Sequence, residues 1–152
     1  MTDILPNLPD PFTAAVFGAS GGIGSALTRA LAAHPACGTL LAASRRGEDP
    51  TGGAANVVPA SFSLEDEASI AAALDQIEGD LHLVIVASGA LGDPEKSWKH
   101  LDHDRLMAAF EVNTVGPALI AKHALDRLPR KAPGVFAALS ARVGSVSHNR
   151  LG

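Results

Sequence analysis

The feature that most restricts this chain is the stretch Gly18-Ala19-Ser20-Gly21-Gly22-Ile23-Gly24, which separates an apolar run from an amphipathic one. The run before it, Thr13-Ala14-Ala15-Val16-Phe17, predicts a short buried strand. Beyond it Ile23, Leu27 and Leu31 recur at a four-residue spacing, which predicts a helix over Ser25 to Ala33, stopped by His34-Pro35. Strand, glycine turn and helix together open a βαβ unit. Gly18, Gly22 and Gly24 let the backbone turn tightly and approach a ligand closely, while the helix start offers free amides and a positive dipole end. That combination suits the pyrophosphate of a dinucleotide, with Ser20 adding a hydroxyl. The competing reading is an ordinary glycine-rich turn that holds nothing. Having both the strand and the helix in place favours the nucleotide. A P-loop is excluded, because no Lys-Ser/Thr pair follows the glycines.

The alternation continues along the chain. Thr39 to Ala43 predicts a second strand, ending in Ser44-Arg45-Arg46, and the Gly- and Pro-bearing stretch Gly47 to Ala55 predicts a loop. Asn56 to Ala60 predicts a third strand. Ser63-Leu64-Glu65-Asp66 resembles a capping box with Asp in place of Glu, opening a helix through Ile70, Leu74 and Ile77 that stops at Gly79. Leu81 to Ala87 predicts a fourth strand, ended by Ser88-Gly89. Helices are expected over Asp102 to Glu111 and Val115 to Leu128, and a fifth strand over Gly134 to Ser140. Pro6, Pro9 and Pro11 make residues 1–12 an expected extended tail. Strands that are apolar throughout and separated by helices predict a parallel sheet covered on both faces. With right-handed crossovers this is an α/β, Rossmann-type doubly wound sheet, here truncated after about the fifth strand. Residues 13–152 are then a dinucleotide-binding domain, incomplete at its C-terminal end.

Composition narrows the function. At 152 residues and 47% hydrophobic the chain can bury a core, so wholesale disorder is excluded. Lys and Arg number 12 against 16 Asp and Glu, so there is no basic excess for nucleic acid or an anionic membrane. The single cysteine, Cys37, forms no intramolecular disulfide and has no activating neighbour, which fits a reducing cytoplasm and argues against a catalytic thiol. Met1 to Phe12 lacks the basic flank and apolar stretch of a secretion signal, and Leu83 to Ala87 is too short to span a bilayer. A soluble, cytoplasmic domain is expected. His100 and His103 lack a third ligand at a metal-binding spacing and read as solvated, whereas His82 and His123 read as structural, so no metal is expected. Lys96, Lys99 and His100 around Trp98 read as a solvated stretch.

The end of the second strand bears on the choice of dinucleotide. An acidic residue there would bond the ribose 2′-hydroxyl, whereas arginine accommodates a 2′-phosphate. Ser44-Arg45-Arg46 stands at this point and the next carboxylate is Glu48, so NADP(H) is preferred and NAD(H) is the alternative.

Phe17-Gly18-Ala19-Ser20-Gly21-Gly22-Ile23-Gly24 resembles the T-G-x-x-x-G-I-G turn of the short-chain dehydrogenase/reductase family, with Phe17 in place of Thr. Val112-Asn113-Thr114-Val115-Gly116-Pro117 resembles the family's V-N-x-x-G-x segment. Leu139-Ser140-Ala141-Arg142-Val143-Gly144-Ser145 resembles its I-S-S-x-x-G-S segment. The three occur in family order from Thr13 onward, with a flavour similar to bacterial C-factor and sniffer-like carbonyl reductases. The resemblance implies hydride transfer between nicotinamide and a small carbonyl or alcohol substrate, in a homodimer or homotetramer. It further implies Gly18, Ser20, Gly22, Ile23 and Gly24 at the pyrophosphate, and Arg45 and Arg46, following Ser44, at the 2′-phosphate. Ser63 and Leu64 would lie by the adenine, and Ser88, Gly89 and Ala90 by the ribose and nicotinamide. Asn113 is implied in a catalytic water relay and Ser140 in polarising the carbonyl. Taken alone, Asn113 reads better as a helix N-cap, and Ser140 could simply end a strand; the companion motifs turn both towards the catalytic reading.

The chain departs from the family pattern in several places. Aligned on Gly144, the usual catalytic Ser falls on Ala141, leaving Ser140 and Ser145 as stand-ins. Val86-Ala87-Ser88-Gly89 replaces N-N-A-G, and Ser63 replaces an Asp. The Tyr-x-x-x-Lys pair that donates the proton has no counterpart, since the sequence holds no tyrosine and no lysine after Lys131. The leading expectation is therefore the cofactor-binding N-terminal part of a longer reductase, inactive by itself. The alternatives are a dinucleotide-binding sensor or scaffold without chemistry, and a fragment without function.

Overall fold

Successive residues of a strand point to opposite faces of the sheet, and in the first strand here both sets are apolar. In β1 (Phe12–Phe17), Ala14 and Val16 join Leu40, Ala42 and Leu31 in one core, while Ala15 and Phe17 join Leu41, Ala43, Ile70 and Val84 in the other. A strand buried on both sides has to be central, and β1 is. The computed structural model describes residues 5, 7–92, 97–141 and 144. Within these, β2 (Cys37–Ser44), β3 (Val57–Ser61), β4 (Leu83–Val86) and β5 (Val135–Ala138) complete a five-stranded sheet in the order β3-β2-β1-β4-β5, and every pairing is parallel. This is the expected Rossmann-type α/β sheet. Helix α1 (Gly22–Ala32) covers one face; α2 (Glu67–Leu74) and α4 (Gly116–Ala124) cover the other.

Several local expectations change. Helix α1 starts at Gly22 rather than Ser25, and its buried residues are Gly24, Thr28 and Leu31, while Ile23 is 63% exposed. Of the expected stripe, Leu31 is buried, Leu27 half-buried and Ile23 exposed, so the buried face is set by Gly24 and Thr28 together with Leu31. Thr28 is tolerated in the core because its Oγ1 donates to the Gly24 carbonyl at 2.8 Å. Helix α2 is capped by Asp66, whose side chain accepts from Ala68 N–H, not by Ser63, and it ends at Leu74, before the turn that closes at Gly79. Strands β4 and β5 are shorter than expected, so Ser140 lies beyond the end of β5. Strand β2 begins at Cys37, two residues before the expected start at Thr39. The tail is not simply extended, because Leu8 N–H turns back to the Leu5 carbonyl and both leucines pack on the α1-side core.

The two histidines read as structural do hold elements together. His82 Nδ1 accepts from the Thr13 amide at 3.1 Å, and His123 Nε2 lies 2.8 Å from Glu67 Oε1, linking α4 to α2. Lys122 joins the same carboxylate at 2.6 Å, and Lys122 first, then His123, holds Glu67 below the usual carboxylate range. Burial pushes the Cys37 thiol up to about 11. We expect iodoacetamide at pH 8 to leave Cys37 largely unmodified in the folded chain and to label it on unfolding in urea. Rapid labelling of the folded chain would show that this end of β2 is open.

Candidate functional site

From β1 the chain winds outward through β2 and β3, then crosses back to set β4 on the other side of β1. The loops leaving β1 and β4 therefore diverge, and a crevice at such a switch point is where open α/β sheets bind ligands. A cleft of about 280 Å³ opens there, lined by Gly18, Ser20 and Gly21 after β1 and by Ser44 and Arg45 after β2. Phe62 to Glu65 after β3, Ala87 to Ala90 after β4, and Glu111 with Val112 complete its lining.

The glycine turn is folded by its own backbone. Gly18 and Ala19 both donate to the Ala43 carbonyl at 2.9 Å, Gly21 donates to Gly18 at 3.0 Å, and Ser25 donates to Gly21 at 2.8 Å. Its glycines are there for different reasons. Gly18 has φ +90°, and a Cβ on it would lie 2.7 Å from the Ser88 nitrogen. A Cβ on Gly24 would meet the Gly18 carbonyl oxygen at 2.0 Å. At Gly22 a Cβ would meet nothing within 4 Å among the described residues, so no packing between them demands glycine there. Gly21 caps α1 with no side-chain hydrogen bond, and the first turn carries no acidic residue, which leaves its amides and dipole for an anion. Beside this turn the Ser88 hydroxyl is buried and has no hydrogen-bond partner among the described residues. An open glycine at a helix start and an orphaned hydroxyl beside Gly18 of the same turn fit a pyrophosphate with a neighbouring ribose.

Away from the glycines, Phe62 forms part of the floor. It packs edge-on against Phe17 with ring centroids 5.1 Å apart. Ser63 is held by Ser69, whose Oγ accepts the Ser63 amide at 2.8 Å and donates to the Asp66 carbonyl at 2.7 Å. Leu64 reaches α4 only because Gly116 has no side chain, since a Cβ there would lie 2.5 Å from Leu64 Cδ2. Ser44 is buried, and its Oγ accepts the Glu48 amide at 3.3 Å. Arg45 borders the cleft, whereas Arg46 is paired with Glu48.

The segment carrying Asn113 differs from expectation. Helix α3 (His103–Phe110), capped by Asp102, does not stop before α4 but runs into it through a π turn over Glu111–Val115. Asn113 sits inside that turn and so is not an N-cap. Its amide clasps the loop after β4 from both sides: Asn113 Oδ1 accepts the Ala90 amide at 3.0 Å, and Nδ2 donates to the Ala90 carbonyl at 2.9 Å. Ser140 is exposed at the carboxyl end of β5, where the adjacent Leu139 amide donates to the Val86 carbonyl at 3.0 Å. Ser145 and Arg142 lie outside the described residues, as does Lys96.

The sequence model of the short chain dehydrogenase family matches residues 13–151. The chain belongs to this family. A cis-4-hydroxycyclohexanecarboxylate dehydrogenase of Sinomonas cyclohexanicum is 28% identical over 140 residues, covering 88% of this chain and 56% of that protein. The chain thus spans about half the length of that curated relative. The Sniffer structure of Caenorhabditis elegans superposes with a TM-score of 0.83 at 20% identity, over 95% of this chain and 69% of that one. The NADPH-bound carbonyl reductase from chicken fatty liver gives 0.80 at 20% identity, over 95% of this chain and 62% of its own. At this identity the structural likenesses are of fold.

Set against this short-chain dehydrogenase fold, the expected site residues separate into groups. Gly18, Ser20, Ser44, Arg45, Ser63, Leu64, Ser88, Gly89 and Ala90 line one cleft, and Gly22 and Ile23 stand exposed at the start of α1. Gly24 lies beneath the turn, buried, and Arg46 points its charge at Glu48. Neither Asn113 nor Ser140 borders the cleft; Asn113 shapes it through Ala90. Phe62, Ser69, Glu111 and Gly116 were not expected. Their roles are contacts between elements far apart in the sequence, Phe62 with Phe17 and Gly116 with Leu64, so only the packing brings them out. Among the described residues no cluster of His, Cys, Asp and Glu could hold a metal, and no helix is long and apolar enough to cross a membrane.

Proposed function

We propose that this chain binds NADP(H) in preference to NAD(H) and supplies the dinucleotide-binding part of a cytoplasmic short-chain reductase acting on small carbonyl or alcohol substrates. The observation that carries this reading is the pairing of an unobstructed Gly22 at a helix start with the orphaned Ser88 hydroxyl at the switch point. In such a protein the dinucleotide supplies the hydride. Gly18, Ser20, Gly22 and Ile23 hold the pyrophosphate, with Gly24 supporting the turn from below. Ser88, Gly89 and Ala90 flank the ribose and nicotinamide. Phe62, Ser63 and Leu64 form the adenine wall, and Arg45, beside Ser44, faces the 2′-phosphate. Asn113 fixes Ala90, and Ser140 stands at the edge where a carbonyl oxygen would lie. The like-folded chicken carbonyl reductase, bound to NADPH, supports the choice of cofactor. A homo-oligomer is supported by the exposed apolar side chains Met107 and Phe110 on α3.

The sequence holds no tyrosine, so the family's proton donor is not among these residues. The 152-residue chain is therefore expected to bind without turnover. Calorimetry with NADPH and NADH tests binding, and NADPH oxidation over a broad carbonyl panel tests chemistry. Failure of both dinucleotides to bind overturns the reading, and turnover that survives replacement of Ser140 overturns its catalytic half.

A further inference from the structure

We infer that Glu48 competes internally with the NADP(H) 2′-phosphate for Arg46, so that Arg45 is the guanidinium left to recognise that group. This rests on the dinucleotide reading above and deepens it. The turn after β2 folds back on itself: Gly47 takes φ +64° and donates to the Ser44 carbonyl at 3.2 Å, and Glu48 N–H reaches Ser44 Oγ at 3.3 Å. Glu48 is thereby brought beside Arg46, and the two meet fork to fork. Arg46 Nε lies 2.8 Å from Oε1, and Nη2 donates to Oε2 at 3.1 Å. The carboxylate takes the Nε–Nη2 edge of the Arg46 guanidinium and offsets its charge, leaving the Nη1 side for any further acceptor.

Arg45 contrasts with it. Among the described residues it makes no hydrogen bond or ion pair, and it borders both the main cleft and a shallower hollow formed with Ser61, Phe62, Ser63 and Ser69. The Arg46–Glu48 side chains are 77% and 54% exposed, so the pair is weak enough to open and its charge is not locked away. Engaging the Nε–Nη2 edge of Arg46 with a 2′-phosphate requires breaking that pair, and engaging its other edge sets Glu48 and the phosphate, two anions, on one guanidinium. Glu48 thus holds down the site's discrimination between two dinucleotides that differ only in that phosphate.

The test is the ratio of NADPH to NADH affinity, read by calorimetry on the full chain in buffer free of phosphate. Glu48→Gln is expected to raise the ratio by about threefold to fivefold, and Arg45→Ser to lower it by about tenfold or more. In a chain already carrying Arg46→Met, Glu48→Gln is expected to give no gain. A ratio unmoved by Glu48→Gln, with both dinucleotides still binding, overturns this inference alone. A gain that persists with Arg46→Met overturns it too, because Glu48 would then act without Arg46. Loss of all binding in the unaltered chain overturns the dinucleotide reading itself, and the inference with it.

Discussion

Replacing Gly24 by alanine is expected to cost the chain about 3–5 kcal/mol of stability, in the range reserved for severe core overlap. A Cβ at this position falls 2.0 Å from the Gly18 carbonyl oxygen and 2.8 Å from its carbon. Both are backbone atoms and cannot rotate aside. Gly18 has no room to retreat, since it is itself packed against Ser88 and Ala87 of the neighbouring loop. The loss is measured by urea unfolding with linear extrapolation. Gly22→Ala in the same turn is the contrasting case. With nothing near its Cβ, stability should stay within about 0.5 kcal/mol, while NADPH affinity falls at least about tenfold as the methyl enters the pyrophosphate position. Equal destabilisation by the two substitutions would show that the turn is one packed unit rather than a support and a contact surface.

The second large effect is expected at Arg127→Met, about 2–3 kcal/mol. The Arg127 guanidinium donates to the carbonyls of Leu74 and Ile77, and also to that of Gly79 at 3.1 Å. These carbonyls lie at and just beyond the end of α2, where helical bonding runs out and a positive charge is favoured. Methionine keeps much of the stem's volume and removes every donor, so the carbonyls revert to whatever water can reach them. A fall in Tm of about 5–10 °C follows for a chain of this size. Arg127→Lys separates charge from geometry. If it restores full stability, charge at the helix end is sufficient, whereas recovery of less than half assigns the effect to the planar fork.

The parts of this molecule that could be read from its sequence are those written in a repeating pattern. Ala14 to Phe17 and Leu83 to Val86 are apolar at every position, which only a doubly covered strand requires, and the glycines between β1 and α1 announce a tight turn. Patterns fail where one position serves two masters. Ile23 shares the spacing of Leu27 and Leu31, yet it stands at the open mouth of α1 and not in the core. Ser63 has the residue type and spacing of a cap, but Asp66 takes that role while Ser63 is tied to Ser69. Asn113 is a good capping residue where no helix starts, because the π turn carries the chain on into α4. Arg45 and Arg46 are indistinguishable as letters; the backbone turn at Gly47 decides which of them finds a carboxylate.

The π turn has a consequence for how this stretch tolerates changes of length. A π turn carries one residue more than an α-helical turn, and an α-helix rotates about 100° per residue. Deleting one residue from 111–115 would therefore restore regular α winding and leave every later side chain of α4 in its present phase. Ile120 and Ala124, both fully buried, would stay in the core, and Gly116 would still face Leu64. A residue lost from 117–119 has no such slack, because it would swing Ile120 and Ala124 around the axis by about 100° and out of the core.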